Sequence, residues 1–430
     1  MYRKEYTETI FRTGSHTSRK SSVKQHEMAA LREMEQMILA AEAVPAGAEA
    51  LERATAHLEQ FLQQVRQKRI LDEKQRAMEA FRQQFENGYT WRNGFLRNVA
   101  RFGDREALIE PESGTVWTYT QLNAEANRLS HALLRAGLQK GDVVMVQLHN
   151  CPEFVFAYLA CHKTGMVFCP VNFRLSAKEI TDCIDNSRPK VFLLEPETQA
   201  EVDMALRRTA HAPQILLTTD ARAAHAYDET LRLFTSGTTG RQKSVCLTSI
   251  NEVLSAHDVM IHFPFSFTDR SMNTTPWFHR GGLHSGGITP TLYAGGTVII
   301  QRKFQPEKTL DMVQQYGLTF LIGVPNVLEL LAEAQQKQPR DLSSLRGIVT
   351  MGSPLERADC IRYQKILTKR IFNGYGTTET FWNTFLRPDD LPEMAGSAGR
   401  SCVDDDVRVI KVYEDRVAEP DDLAATDGSE

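Results

Sequence analysis

Residues 233–245 read Leu-Phe-Thr-Ser-Gly-Thr-Thr-Gly-Arg-Gln-Lys-Ser-Val, a run of glycine and hydroxyl residues closed by a lysine. Gly237 and Gly240 stand among the hydroxyls of Thr235, Ser236, Thr238 and Thr239, and Lys243 follows soon after. Glycine lets backbone N–H groups approach an anion without a Cβ in the way. The hydroxyls add donors and the lysine adds a point charge. Leu231-Arg232-Leu233-Phe234 has the apolar character of a strand end, so the loop leaves a sheet edge, where α/β folds bind ligands. Such chemistry suits a triphosphate. Taken alone, the run also reads as an ordinary surface loop of Ser, Thr and Gly.

Two commoner nucleotide loops are excluded. A P-loop, G-x-x-x-x-G-K-[ST], needs a second glycine where Gln242 stands. A dinucleotide fingerprint, G-x-G-x-x-G, fails at Gly237-Thr238-Thr239, which lacks the second glycine. The run instead resembles the phosphate loop of the adenylate-forming (AMP-binding) enzymes, which include acyl-CoA synthetases, peptide-synthetase adenylation domains and luciferases. Their usual form is T-S-G-T-T-G-x-P-K-G-V. Gln242 replaces the proline and Ser244 the last glycine, which removes a rigid turn while the ligating residues remain.

Further segments resemble the same family in the same order. Trp117-Thr118-Tyr119-Thr120-Gln121-Leu122, with a helical run to Leu134 and then Gly137, resembles its opening segment. Ala160 to Asn172 resembles the helix-to-strand segment that follows, and Thr275-Pro276-Trp277-Phe278-His279 the aromatic/His segment beside the acyl pocket. Gly352-Ser353-Pro354-Leu355 is similar to the adenine loop, and Asn373-Gly374-Tyr375-Gly376-Thr377-Thr378-Glu379 to the Y-G-x-T-E signature. Gly396-Ser397-Ala398-Gly399-Arg400 resembles the turn after it, so the likeness covers roughly residues 95–410.

The resemblance implies a reaction. A carboxylate attacks the α-phosphate of ATP, pyrophosphate leaves, and the acyl-AMP passes its acyl group to CoA. Phosphoryl transfer is mostly positioning and charge neutralisation. On that reading Thr235, Ser236, Gly237, Thr238, Thr239 and Gly240 with Lys243 hold the β- and γ-phosphates. Thr378 donates to the α-phosphate, and Glu379 ligates Mg²⁺, a hard cation that takes carboxylate oxygen. Tyr375 stacks on adenine within Asn373–Thr377, opposite Gly352, Ser353 and Pro354, and His279 sits near the acyl carboxylate. Each has a plainer alternative: a structural histidine, a core aromatic, or a carboxylate at a helix start. Glycines 281, 282, 286 and 287 leave open volume for an acyl chain or serve close packing.

Composition fits a cytoplasmic enzyme. The 430 residues are 42% hydrophobic, ample for a core. A net charge of −4 without a basic stripe argues against nucleic acid as the main partner, and the resemblance implies a small-molecule carboxylic acid instead. Seven scattered cysteines with no C-x-x-C suit free thiols in a reducing compartment. No apolar run approaches a membrane span, and H-E-x-x-H and G-x-S-x-G are absent.

The ends depart from the family. Residues 1–24 are rich in Lys, Arg, Ser and Thr and suit a disordered tail, with Glu5 and Glu8 against a targeting peptide. Residues 25–88 form a helical extension broken at Pro45-Ala46-Gly47, with Leu51, Leu58, Phe61, Leu62 and Val65 as an apolar stripe. That stripe packs on the main domain, pairs with another chain as a homo-oligomer or partner contact, or closes a hairpin. Val407–Val412 reads as the last strand. Family members continue with a ribose-binding aspartate, a hinge and a small domain carrying a lysine. No segment up to Glu430 matches these, and Asp404, Asp405 and Asp406 stand in the wrong order for the aspartate.

The expectation is therefore an α/β fold of layered sheets and helices over residues 89–430, with a small β-rich piece after about residue 380. It is the adenylation domain without its lysine-bearing partner, so overall turnover is impaired. The alternative is a non-catalytic nucleotide- or acyl-binding protein, or an interaction protein, that kept the cleft.

Overall fold

The computed structural model describes residues 48–209, 211, 213, 225–236, 242–419 and 421–424. Two compact units divide the chain, residues 1–83 and 84–430. In the first, the described residues belong to the helix Ala48–Gly88, along which Phe61, Leu62 and Val65 are half-buried and Ile70, Leu71 and Met78 exposed. The tail of residues 1–24 and the break at Pro45-Ala46-Gly47 lie outside the described residues, as do the side chains of Leu51 and Leu58.

The second unit is built on two sheets. β1 (Glu106–Glu110) and β2 (Thr115–Thr118) form a hairpin. β3 (Val143–Gln147), β4 (Val167–Pro170), β5 (Val191–Leu194), β6 (Glu229–Ser236) and β7 (Gln242–Thr248) make a five-stranded sheet in the order β5-β3-β4-β6-β7. β8 (Arg270–Asn273), β9 (Thr297–Ile299), β10 (Phe320–Gly323), β11 (Gly347–Met351), β12 (Ile371–Thr377), β13 (Phe381–Leu386) and β14 (Arg400–Ser401) follow. With the first hairpin they form a nine-stranded sheet, ordered β14-β13-β12-β11-β10-β8-β9-β1-β2. The β-rich piece after residue 380 is thus an antiparallel extension of this sheet by β13 and β14. The strand expected at Val407–Val412 is replaced by a single bridge between Ile410 and Leu423.

Strand side chains alternate between faces, and each face has its own core. Leu321, Ile348 and Ile371 join one apolar cluster with helices Pro306–Tyr316, Pro325–Lys337 and Arg357–Ile366, while Phe320, Ile322, Val349 and Phe372 join an aromatic one. In the smaller sheet Val144, Val146 and Phe168 pack one way and Val143, Met145, Val167 and Cys169 the other. Parallel strands covered on both faces read as such unbroken apolar runs. Leu108 and Val298 of the larger sheet share a cluster with Val144 and Leu231 of the smaller, filled by helices Tyr119–Arg135 and Pro152–Thr164. Each buried Leu, Val or Phe contributes about 1.5–3 kcal/mol.

Local signals start these helices where the sequence places them. Thr118 caps Tyr119–Arg135, its Oγ1 accepting from Gln121 N at 3.3 Å while Gln121 Oε1 accepts from Thr118 N at 2.9 Å. Such a box is worth about 1 kcal/mol. Among the described residues no helix is long and apolar enough to cross a membrane, and all seven cysteines are free thiols.

Candidate functional site

Four adjacent strands, β12, β11, β10 and β8, run parallel, so their carboxyl ends open on one edge. Asn273 pairs with Ile322, Gly323 with Thr350, and Met351 with Gly374. Three segments at these ends therefore share that edge, Thr274–His279 after β8, Gly352–Leu355 after β11 and Tyr375–Glu379 at the end of β12, with β10 between the first two. In open α/β sheets this is the edge that binds ligands.

Two buried asparagines fix the first segment. Asn273 accepts from Thr275 N at 2.9 Å and donates to Gly281 O and Ser285 O, both at 3.0 Å. Asn150 accepts from Trp277 N at 3.0 Å and donates to Thr275 O at 3.3 Å. Trp277 and Phe278 are buried and His279 is exposed, its ring centroid 4.2 Å from that of Phe278. Desolvation pulls the His279 pKa below its ordinary value. The glycines after it serve close packing: a Cβ at Gly282 would lie 2.1 Å from Pro276 O, and one at Gly287 2.0 Å from Gly282 O.

Gly352 takes φ +82°, open to glycine, and turns Ser353 and Pro354 outward while Leu355 is buried. Across from it Tyr375 is 59% exposed. Asn373 is buried, and its Oδ1 has no hydrogen-bond partner among the described residues. Thr377 and Thr380 close the turn, each backbone N–H donating to the other's Oγ1 at 3.2 Å. Thr378 at this turn is half-buried; Glu379 is exposed and, among the described residues, forms no ion pair.

The flanks of the run 233–245, expected to bind phosphate, belong to the other sheet. β6 and β7 are antiparallel, with Thr235 opposite Lys243 and Ser236 opposite Gln242, so the run is a hairpin. Its tip, with Gly237, Thr238, Thr239 and Gly240, lies outside the described residues. Lys243 is exposed and free of ion pairs among the described residues, and Ser244 donates to Asn186 Oδ1 at 2.9 Å. Among the described residues no hydrogen bond or ion pair joins this hairpin to the edge of the larger sheet.

A buried polar cluster lies behind His279, and no local motif announces it. Glu252, on helix Ser249–His262, accepts from Tyr158 Oη at 2.5 Å and lies 2.8 Å from His284 Nε2, while Tyr158 Oη is 2.7 Å from Thr289 Oγ1. Burial alone would raise the Glu252 pKa, but His284, His162, whose Nε2 is 3.8 Å from Oε2, and Tyr158 hold it down at about 2. Next to it Arg280 is buried, which lowers its pKa to about 10, and Asp258 is pushed up to about 6 by burial and by Asp405 and Asp404. Asn150 and Asn273 escaped the sequence reading for the same reason: a lone asparagine carries no spacing signal.

A family model described as AMP-binding enzyme matches residues 95–422. The chain is similar to an indoleacetate–CoA ligase from Aromatoleum aromaticum, 30% identical over 71% of this chain and 65% of the relative. It is also similar to a feruloyl-CoA synthase from Amycolatopsis, 32% identical over 71% of this chain and 64% of the relative. The matched region thus spans just under two thirds of these relatives' length. Among solved structures, the inhibitor-bound N-terminal domain of FACL13 from Mycobacterium tuberculosis superposes with a TM-score of 0.67 at 25% identity, covering 77% of this chain and 86% of that one. The anthranilate CoA ligase AuaEII in complex with anthranoyl-AMP gives a TM-score of 0.69 at 20% identity, over 75% of this chain and 65% of that one. A match over most of the chain, on the segments that line one sheet edge, settles the family: this chain belongs to the AMP-binding enzymes.

Proposed function

We propose that the protein activates a small carboxylic acid with ATP, forming an acyl-AMP that is then passed to CoA. The observation that carries this reading is the gathering of Thr274–His279, Gly352–Pro354 and Tyr375–Glu379 at the carboxyl ends of parallel strands along one sheet edge. In the first step a carboxylate oxygen bonds to the α-phosphorus, the bond from that phosphorus to the β-bridging oxygen breaks, and pyrophosphate leaves. In the second, the CoA sulfur bonds to the acyl carbon, its proton is lost to base, and AMP leaves.

The residues fit the nucleotide. Tyr375 offers an exposed ring for adenine, and Asn373 Oδ1, unpartnered among the described residues, is an acceptor for a base amino group. Lys243 and the Thr235–Gly240 hairpin supply charge and donors to the β- and γ-phosphates, and Thr378 a hydroxyl to the α-phosphate. Glu379, exposed and unpaired among the described residues, fits Mg²⁺, which takes one or two carboxylates and completes its shell with phosphates and water. When bound, that ion supplies charge neutralisation at the phosphate oxygens. His279 stands where the incoming carboxylate is oriented. The free thiols agree with a cytoplasmic setting.

Pyrophosphate exchange into ATP tests this on a panel of aryl, arylacetic and fatty acids, with and without Mg²⁺. Magnesium-dependent exchange with at least one acid is expected. MgATP binding without exchange would instead indicate a nucleotide-binding protein that does not catalyse, and absence of both would overturn the reading.

A further inference from the structure

Arg280 follows His279 directly and opens the short helix Arg280–His284. It is more than nine-tenths buried. Its Nη2 donates to Ser255 Oγ at 2.9 Å, while Nε and Nη1 have no hydrogen-bond partner among the described residues. The guanidinium carbon stands 5.1 Å from the centroid of the Phe381 ring. A desolvated cation over an aromatic face is held more strongly than an exposed one.

Phe381 is itself unusual. It takes φ +67°, a region that bulky residues rarely enter and that persists only where the surroundings over-determine it. Its ring stacks on Trp382 with centroids 4.6 Å apart and meets His284 edge-on at 6.0 Å. Its carbonyl is pressed against the facing strand, where a Cβ at Gly376 would lie 1.4 Å from Phe381 O. Phe381 pairs with Thr377 to close the turn that carries Thr378 and Glu379. The turn on one side and the His279 segment on the other therefore meet at one ring and one guanidinium.

Charge in the cluster argues against a ligand anion as the missing partner of Arg280. Glu252 and Asp258 already act on it, both favouring its charged form against burial. An added anion would meet two carboxylates for one guanidinium.

We propose that Arg280 is a positioning residue which, through the Phe381 ring, locks the Thr378–Glu379 turn to the His279 segment and so sets the spacing between the acid and the α-phosphate. The proposal rests on the function proposed for this site. Three variants of the full chain test it: Arg280→Met, which removes the cation, Arg280→Lys, which keeps it, and Phe381→Leu, which removes the ring.

Hydrogen exchange at the Thr377 and Thr380 amides reads the lock without any substrate. About tenfold faster exchange is expected in Arg280→Met and Phe381→Leu, with Arg280→Lys close to wild type and the core amides of Leu321 and Ile348 unchanged. In pyrophosphate exchange, Arg280→Met is expected to lower kcat about tenfold with little change in KM for ATP. The Arg280→Met/Phe381→Leu double variant should be no worse than the worse single variant. Unchanged protection of Thr377 and Thr380, or losses that multiply in the double variant, would overturn the proposal. If the wild-type chain shows no exchange activity, the proposed function fails while the amide measurement still decides the lock. If Arg280→Met does not fold, the amides of Phe381→Leu and Arg280→Lys decide it in its place.

Discussion

Met351 and Gly374 are register partners across β11 and β12, so Gly352, where the chain leaves β11, and Tyr375, where β12 runs on beyond its parallel partner, stand at the same sheet edge. The pairing puts a glycine turn opposite an exposed aromatic ring, which the proposed function assigns to the adenine base.

Tyr375→Ala should therefore weaken ATP binding. Base–aromatic stacking is worth about 1–3 kcal/mol, so a loss of about tenfold or more in affinity is expected. Because the ring is 59% exposed, the melting temperature should not move. Tyr375→Phe should bind as wild type. Calorimetric titration with MgATP checks this, and equal affinity for Tyr375→Ala would remove the residue from the site.

Asn273 holds the His279 segment through three bonds of 2.9–3.0 Å from a position that is 3% exposed. Asn273→Ala strands the carbonyls of Gly281 and Ser285 and the Thr275 amide. Leaving buried groups unsatisfied costs about 1–3 kcal/mol each before relaxation, so a net loss of about 3 kcal/mol in urea unfolding is expected. The KM for the carboxylic acid should rise while that for ATP stays near wild type. A change in the opposite order would show that Asn273 does not support the acyl segment.

His162 makes stability pH-dependent. It is fully buried against Trp91 and Tyr158 with Nε2 3.8 Å from Glu252 Oε2, and burial, helped by His284 and opposed by the Glu252 carboxylate, pulls its pKa from 6.5 to about 4. Above pH 6.5 the ring is neutral folded and unfolded, and this contribution is complete. As pH falls from 6.5 through about 4, the unfolded chain takes a proton that the folded one refuses, and about 3 kcal/mol is lost. Unfolding curves of wild type and His162→Phe at several pH values check this, with a shallower acid decline expected in the variant. Parallel declines would contradict it. His262, also lowered to about 4, keeps its share in both proteins.

The parts of this molecule that were legible in the sequence are local. The helical run from Trp117–Leu122 to Leu134, the strand end at Leu231–Phe234 and the loop at Gly352 each need only neighbouring residues to be read. The family motifs are local too, and the structure gathers those of the larger sheet on one edge. The strand expected at Val407–Val412 shrinks to its one bridge with Leu423: Val409 is 73% and Val412 96% exposed, so among the described residues the alternation has no face to bury. The Glu252–His284–Tyr158–Arg280 cluster was invisible because it joins residues 158, 252, 280 and 284, and isolated charges in a sequence read as surface. Phe381 gives no sign in the sequence of its positive φ, which only its packed neighbours impose.

The most direct measurement of the central claim is pyrophosphate exchange by Lys243→Ala and Glu379→Ala beside the wild-type chain, with unfolding curves recorded on the same samples. Both side chains are exposed and free of ion pairs among the described residues, so stability should be unchanged. If they meet the phosphates and the magnesium ion, exchange should fall by about two to three orders of magnitude in each. Wild-type exchange rates in both variants would contradict the account.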